Sequence, residues 1–466
     1  MSFTLALSSL SIEEKKEILK KFSVSPKKTQ YNENPPIFRC FIADKSTDTL
    51  HLPYGSWRMY VDTSLGFPNG DSKHFPKMNK HVKFIGKLLT PETDPSGRKR
   101  DQVPIVEEAL KRLRGRGFVL LALFTGMGKT TLAIYISIML RLKTVILCHL
   151  NTVRGQWPDE YKNLSGGSVK VQFVSGANAQ LDPHADVYII GVQKATKMDA
   201  SQFINIGTVI VDECHMTGVA TFTECLLKFH PRYLIGLSAT PDKNVLPKTI
   251  NLYFGRDKTF IVRQEKKVFT VYKYKTGYKP NIQYVQRQGI VVPDWHGEGG
   301  VIDSIERNEM RWQDIVDICM KHPEEKIIVL CQRNVSAKGI YNLLIEKEED
   351  AELLIGSKKK WNKDARITVA GIAKAGVGMN DPHLTMGVIC SDTSDVRQLE
   401  GRIRTNNNII YHIVDDYKTF EKHYELCEKW YLQKGAKIET VYAKNAKVEL
   451  IEKEIEVSRK RYLPTI

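Results

Sequence analysis

The sequence predicts an α/β protein of two tandem parallel-sheet lobes, preceded by a small α+β domain and followed by a helical C-terminal tail. Two observations predict it. Short apolar runs at 118–124, 144–148, 187–190, 209–211 and 233–237 alternate with segments of helical period, and strands separated by helices pair in parallel. The same rhythm returns at 326–330, 367–370, 387–390 and 409–414, which makes a second sheet. With 466 residues, 42% of them hydrophobic, the chain can fill two or three domains of about 100–200 residues each.

Residues 1–90 read as an accessory domain. Ser11-Ile12-Glu13-Glu14 has the form of a capping box, opening a charged helix that runs to Phe22, and the Pro- and Asn-containing stretch 31–36 breaks it. Extended segments follow around 38–42 and 50–52, and the Pro- and Gly-containing stretch 90–97 marks a boundary. The first lobe then covers 91–250 and the second 301–432. Between them, 251–300 is rich in Tyr, Lys and Gln and reads as a linker with some extended pairing. The remainder, 433–466, reads as a helical tail, because from about 443 to 461 Lys and Glu alternate with Val, Leu and Ile at helical spacing, the pattern of a solvated surface helix.

Lys and Arg number 69 against 53 Asp and Glu, a net charge of +16. That balance favours a polyanionic partner, although many basic proteins have none, so charge serves only as support. The eight cysteines are scattered, with no CxxC pair and no histidine cluster at ligand spacing, which argues against a zinc site or a disulfide framework and fits a reducing compartment. The first ten residues lack a basic n-region, and no apolar run approaches the roughly 20 residues needed to cross a bilayer. The expectation is an intracellular protein with no membrane partner.

The strongest chemical signal is Leu123-Phe124-Thr125-Gly126-Met127-Gly128-Lys129-Thr130, which follows an apolar strand and opens a helix. Glycine flexibility at Gly126 and Gly128 lets backbone N–H groups, Thr125 included, turn toward phosphate oxygens. Lys129 reaches the β and γ phosphates, and the Thr130 hydroxyl is suited to Mg²⁺. The usual first glycine of this signature is Leu123 here. Asp212-Glu213-Cys214-His215 follows the apolar run 209–211, so its carboxylates fall at the C-terminal edge of the sheet, where open α/β sheets bind ligands. Asp212 can hold Mg²⁺ and Glu213 can polarise the attacking water. ATP and Mg²⁺ are the cofactors expected.

With further segments in order, the chain resembles the superfamily-two helicases, a resemblance spanning about 98–414. It implies two RecA-like lobes, nucleic-acid-dependent ATP hydrolysis and a set of roles. Ser238-Ala239-Thr240-Pro241 is similar to the segment coupling the ATP site to the nucleic-acid site. Gln398-Leu399-Glu400-Gly401-Arg402-Ile403-Arg404 is similar to the last helicase motif, in which Gln398, Arg402 and Arg404 act on the γ-phosphate; the family often has its second arginine where Thr405 stands. Gln102 is similar to the upstream glutamine that recognises adenine, and Gly378 lies in a segment, 375–382, similar to the second-lobe motif between nucleic acid and ATP. Arg154 and Gln156, Gln193 and Lys194, and Gln332 and Arg333 follow strands at positions similar to backbone-gripping loops; Trp157 reads as a packing residue.

Asp-Glu-Cys-His with Ser-Ala-Thr-Pro and the Gln156-Trp157 pair is closer to the DNA-acting branch of XPB, UvsW and the type I and III restriction motors than to Asp-Glu-Ala-Asp RNA helicases. Within that branch, Leu52-Pro53-Tyr54-Gly55, the stretch 374–380 and Tyr411-His412-Ile413-Val414-Asp415-Asp416-Tyr417 resemble the poxvirus-type transcript-release helicases and their relatives in other large DNA viruses. This implies a monomeric DNA motor of 3′-to-5′ polarity that meets the transcription machinery in host cytoplasm or viral factory and is packaged in the virion. An RNA helicase, and a nucleic-acid-binding scaffold with a degenerate ATPase, are the alternatives.

Overall fold

A computed structural model of the chain describes residues 2–26, 35–94, 100–149, 156–176, 178–218, 220–241, 247–255, 260–263, 268–287, 289–356, 358, 361–372, 381, 383–400, 403, 408–444 and 446. It divides into two compact units, Met1–Gln264 and Glu265–Ile466. Each is built on a seven-stranded sheet whose neighbouring strands are all parallel.

In the first unit the strands lie in the order Phe260–Arg263, Phe118–Leu123, Tyr233–Ser238, Thr208–Val211, Thr144–Cys148, Val187–Gly191, Val171–Val174. The strand Phe118–Leu123 is buried along its whole length, as a strand covered on both faces must be. Its side chains alternate between two cores. Phe118, Leu120 and Ala122 join the cluster containing Phe3, Leu52, Tyr54 and Trp57; Val119, Leu121 and Leu123 join the one containing Ile105, Ala109 and Leu113 of the helix Val103–Arg116.

The first of those clusters shows what the N-terminal segment does. Its helix Ile12–Phe22 opens with the expected capping box: the Ser11 hydroxyl accepts from the Glu14 N–H at 3.1 Å, and the Glu14 carboxylate accepts from the Ser11 N–H at 2.8 Å. An antiparallel sheet of Ser2–Ala6, Thr49–Pro53 and Ile42–Asp44 lies beside it. Phe22, Trp57 and Tyr54 share one core with the first sheet, and the Trp57 indole donates to the Arg116 carbonyl at 2.9 Å. The segment is therefore packed into the first lobe, within one compact unit.

In the second unit the order is Ala351–Leu354, Ile367–Gly371, Ile327–Cys331, Met386–Ile389, Ile409–Val414, Phe269–Lys275, Ala436–Tyr442. Three of these strands lie outside the four runs expected from the sequence: Ala351–Leu354, within the expected second lobe, and the two at the other edge of the sheet. Phe269–Lys275 falls in the stretch read as linker, yet it sends Phe269 and Val271 to one core and Tyr274 to the other. Ala436–Tyr442 falls where a helical tail was expected to begin, and pairs in parallel with Phe269–Lys275; residues 447–466 lie outside the described ones. The rest of the 251–300 stretch contains the end of the helix Pro247–Phe254, the strand Phe260–Arg263 of the first sheet and an antiparallel hairpin of Tyr284–Arg287 with Ile290–Pro293. Among the described residues no helix is long and apolar enough to cross a membrane.

Candidate nucleotide and nucleic-acid site

The turn after Phe118–Leu123 carries glycines at the two positions whose backbone demands them. Gly126 has φ +90° and Gly128 φ +90°, ψ +38°, conformations that side-chain-bearing residues adopt at a cost. Gly128 caps the helix Lys129–Leu140, so the positive end of the helix dipole and its free N–H groups face the turn.

Two side chains from just upstream hold the outer side of this turn. The Gln102 amide Nε2 donates to the Met127 carbonyl at 2.8 Å while its Oε1 accepts from the Leu89 N–H at 2.9 Å. The Arg100 guanidinium donates to the Gly126 carbonyl at 2.5 Å and is itself oriented by Asp94, with contacts at 2.6 and 2.8 Å. Tethering successive carbonyls outward leaves the intervening N–H groups directed into the concavity, as an anion nest requires. Gly128 allows this closeness, since a Cβ there would stand 2.4 Å from Gln102 Nε2. Sequence reasoning assigned Gln102 to adenine and did not single out Arg100 or Asp94; their neighbourhood in sequence to Gln102 is the only signal that could have found them.

Lys129 donates to the Leu123 carbonyl at 3.3 Å, and its charge also acts on the Asp212 carboxyl. Thr130 is half-buried in the first turn of the helix. Asp212 sits just beyond the strand Thr208–Val211, 8% exposed. Its Oδ1 accepts from the Glu213 N–H at 3.0 Å and its Oδ2 from the Trp157 indole N–H at 3.1 Å. Burial, and next the adjacent Glu213 charge, push the Asp212 carboxyl up to about 6, against the pull of Trp157 and Lys129. A desolvated carboxylate beside a second one, a threonine hydroxyl and a lysine is a donor set suited to a hard divalent cation shared with phosphate oxygens. The residues present therefore fit Mg²⁺ and a nucleoside triphosphate.

Glu213 has φ +49°, and its carboxylate lies 3.3 Å from His215 Nδ1. His215, 7% exposed, shares a hydrogen bond of 3.0 Å with the Ser238 hydroxyl, and Ser238 Oγ accepts the Thr240 N–H at 3.0 Å. The segment Ser238-Ala239-Thr240 is thus joined through one histidine to the carboxylate beside Asp212. Ser238 and Thr240 are buried and Ala239 partly so. His149, at the end of the neighbouring strand, stacks on Phe222 with ring centroids 6.2 Å apart; burial and the nearby His215 lower its pKa.

Gln156 is the exposed first residue of the helix Gln156–Ser165. Gln193 is exposed and Lys194 half-buried on the short helix Val192–Lys197, directly after the strand Val187–Gly191. Their strands end level with the one that carries Asp212, since Leu147 pairs with Val211 and Cys148 with Gly191. Trp157 is 1% exposed, a packing residue that also bonds Asp212.

In the second unit the C-terminal ends of four adjacent strands are tied by a buried polar network. Arg311, fully buried, donates through Nε to Asp415 at 3.0 and 3.1 Å and through Nη2 to the Cys390 carbonyl. The Thr276 hydroxyl donates to Asp415 at 2.7 Å. The Gln332 N–H donates to Ser391 Oγ at 2.7 Å, and that hydroxyl donates to Glu306. Gln332 is exposed at this edge, and Arg333 donates to the His296 carbonyl beside it. Gln398 lies on the helical turn Arg397–Glu400. Arg154, Gly378, Arg402 and Arg404 fall outside the described residues.

Comparison with known proteins agrees with this geometry. Residues 98–243 match the family described as type III restriction enzyme, res subunit. The chain is similar to "Putative helicase 161L" of Invertebrate iridescent virus 6, 28% identical over 405 residues that cover 80% of this chain and 89% of the relative. It is also similar to "Putative helicase 055L" of Frog virus 3, 27% identical over 346 residues, 72% of this chain and 78% of the relative. A solved structure of S. cerevisiae Dbp5 bound to RNA and ADP BeF3 shares the fold, with TM-score 0.51 at 13% identity over 76% of this chain and 93% of that one.

Proposed function

We propose, from the premise that this chain is a superfamily-two helicase related to those of large DNA viruses, that it is an ATP-driven, Mg²⁺-dependent motor acting on DNA. The observation that carries the reading is the meeting of Lys129, Asp212 and Glu213 at one sheet edge, with Glu213 joined through His215 to Ser238 and Thr240. ATP binding goes with the family. Backbone N–H groups of 125–130 cradle the phosphates, Lys129 offsets their charge, and Thr130 and Asp212 hold the cation. Mg²⁺, when bound, supplies Lewis-acid stabilisation of the charge that develops on the transferring phosphoryl group. Glu213 orients and polarises the attacking water. Gln102 and Gly378 are assigned to the nucleotide, and Gln398, Arg402 and Arg404 to the γ-phosphate from the second lobe.

Gln156, Gln193, Lys194, Gln332 and Arg333, with Arg154, are assigned to the nucleic-acid backbone, where amides and basic groups position a strand without reading its sequence. The net charge of +16 supports a polyanionic partner. The Asp-Glu-Cys-His and Gln156-Trp157 signatures favour DNA, and the likeness of 411–417 to transcript-release helicases favours a monomeric viral motor that frees nascent RNA in the infected cell. The test is ATP turnover with single-stranded DNA, duplex DNA or RNA added, together with release of labelled RNA from a stalled transcription complex. Stimulation by DNA and ATP-dependent release are expected. Stimulation by RNA alone would replace DNA with RNA as the substrate, and turnover indifferent to every nucleic acid would sink the motor.

A further inference from the structure

The helix Gln156–Ser165 begins with a residue assigned to the nucleic-acid backbone, and it is bonded to both halves of the nucleotide site. Trp157 donates its indole N–H to Asp212 Oδ2 at 3.1 Å. One turn later the Tyr161 hydroxyl shares a hydrogen bond of 2.9 Å with the hydroxyl of Ser137, which lies on the helix Lys129–Leu140 that opens at Lys129. The i, i+4 spacing of Trp157 and Tyr161 puts both contacts on one helix face, and both side chains are fully packed, 1% and 0% exposed. Gln156 stands exposed at the end of the same helix.

We propose that Trp157 and Tyr161 are positioning residues that link nucleic-acid binding at the start of this helix to the geometry of Asp212 and the phosphate turn. The inference rests on the functional reading above and deepens it. A hydrogen bond to a carboxylate is directional and weakens steeply as its angle closes, while a packed helix moves as one body. A strand that shifts the Gln156 end therefore alters the partner of Oδ2, the oxygen that shares the Asp212 carboxylate with the metal-binding role. Linkage makes the effect reciprocal: whatever nucleotide does to nucleic-acid affinity through this helix, nucleic acid does to nucleotide affinity.

The test measures affinity for a labelled single-stranded DNA by fluorescence anisotropy, with and without Mg²⁺ and a non-hydrolysable ATP analogue. The ratio of the two affinities is the coupling factor, and factors of about 5–150 are usual for linked sites. Trp157→Phe keeps an aromatic ring in the packed site and removes the N–H; the coupling factor should fall about tenfold, a loss in the range expected for a hydrogen bond to a charged group. Tyr161→Phe removes only a hydroxyl and should lower it about threefold, and it decides the matter if Trp157→Phe does not fold. A coupling factor within twofold of the parent protein overturns the proposal. So does an equal loss of affinity with and without nucleotide, which marks a merely structural role. A parent protein that binds no nucleic acid refutes the functional reading itself, before any variant is made.

Discussion

Replacing Gly128 with alanine adds one methyl group at the tightest point of the phosphate turn, and its cost can be worked from two causes. The first is the backbone: at φ +90°, ψ +38° a residue with a Cβ pays about 1–2 kcal/mol for a left-handed conformation. The second is the collision. The new carbon would stand 2.4 Å from Gln102 Nε2, so the carboxamide must leave, giving up its bonds to the Met127 carbonyl and the Leu89 N–H. Two buried hydrogen bonds at about 1 kcal/mol each bring the sum to about 3–4 kcal/mol. If this falls on the phosphate-binding shape of the turn, nucleotide affinity drops by a factor of about 10²–10³. The assay is titration with a fluorescent ATP analogue, in a double-mutant cycle with Gln102→Ala. With the carboxamide gone the collision is gone, and Gly128→Ala should then cost only the backbone part, about tenfold. Equal costs in both backgrounds would show that Gln102 does not brace the turn, and unchanged affinity in the single variant would refute the anion nest altogether.

Further outcomes are expected from the same structure. Glu213→Gln should bind the ATP analogue nearly as the parent does, yet turn over at least about 10²-fold more slowly in single-turnover assays; Lys129→Ala should lose both binding and turnover, and normal stimulated turnover in either variant contradicts the assigned roles. Asp212 must be ionised to hold a cation, and its carboxyl is pushed up to about 6, so kcat/KM for ATP at limiting Mg²⁺ should fall as pH drops through about 6, and a tenfold rise in Mg²⁺ should move that limb down by about one unit as metal outcompetes the proton. The stability sign is opposite: with its folded pKa above the unfolded one, Asp212 costs the unliganded fold stability as pH rises from the ordinary carboxylate range through about 6, which melting curves against pH would reveal. Arg311→Met strands Asp415 without its buried partner and should destabilise the second unit by about 3–5 kcal/mol in denaturant unfolding; a loss under about 1 kcal/mol would mean the network ties nothing.

How much of this was legible in the sequence depends on whether the physical cause is local. The phosphate turn was, because glycines that permit φ +90° at Gly126 and Gly128 and a lysine that opens the next helix are constraints within eight residues. The strands Phe118–Leu123 and Ile327–Cys331 were, because burial on both faces demands an unbroken apolar run. Phe269–Lys275 was not: its lysines and tyrosines look like linker, and its place between Ile409–Val414 and Ala436–Tyr442 is fixed by pairing with segments more than a hundred residues away. Ala436–Tyr442 failed for the same reason, since an edge strand with Lys437 exposed and Glu439 half-buried carries charges like those of a surface helix. Trp157 was rightly read as packed, but its bond to Asp212 spans 55 residues, and no local pattern encodes it.

The two neighbouring carboxylates raise a geometric problem that the fold solves at one residue. Successive side chains of an extended strand point to opposite faces, so Asp212 and Glu213, following directly on Thr208–Val211, could not both serve one phosphate chain if the strand simply continued. At Glu213 the backbone turns into the left-handed region, φ +49°, a conformation that costs a residue with a side chain roughly 1–3 kcal/mol and persists only where surroundings over-determine it. Those surroundings are the Glu213 N–H bonded to Asp212 Oδ1 and the carboxylate held 3.3 Å from His215. The turn thus lets Asp212 stay with Trp157 and the charge of Lys129 while Glu213 faces His215, and through it Ser238. Strain at this position sets the two neighbouring carboxylates in different surroundings, Asp212 toward Trp157 and Glu213 toward His215, as the roles proposed for them, cation binding and action on water, require.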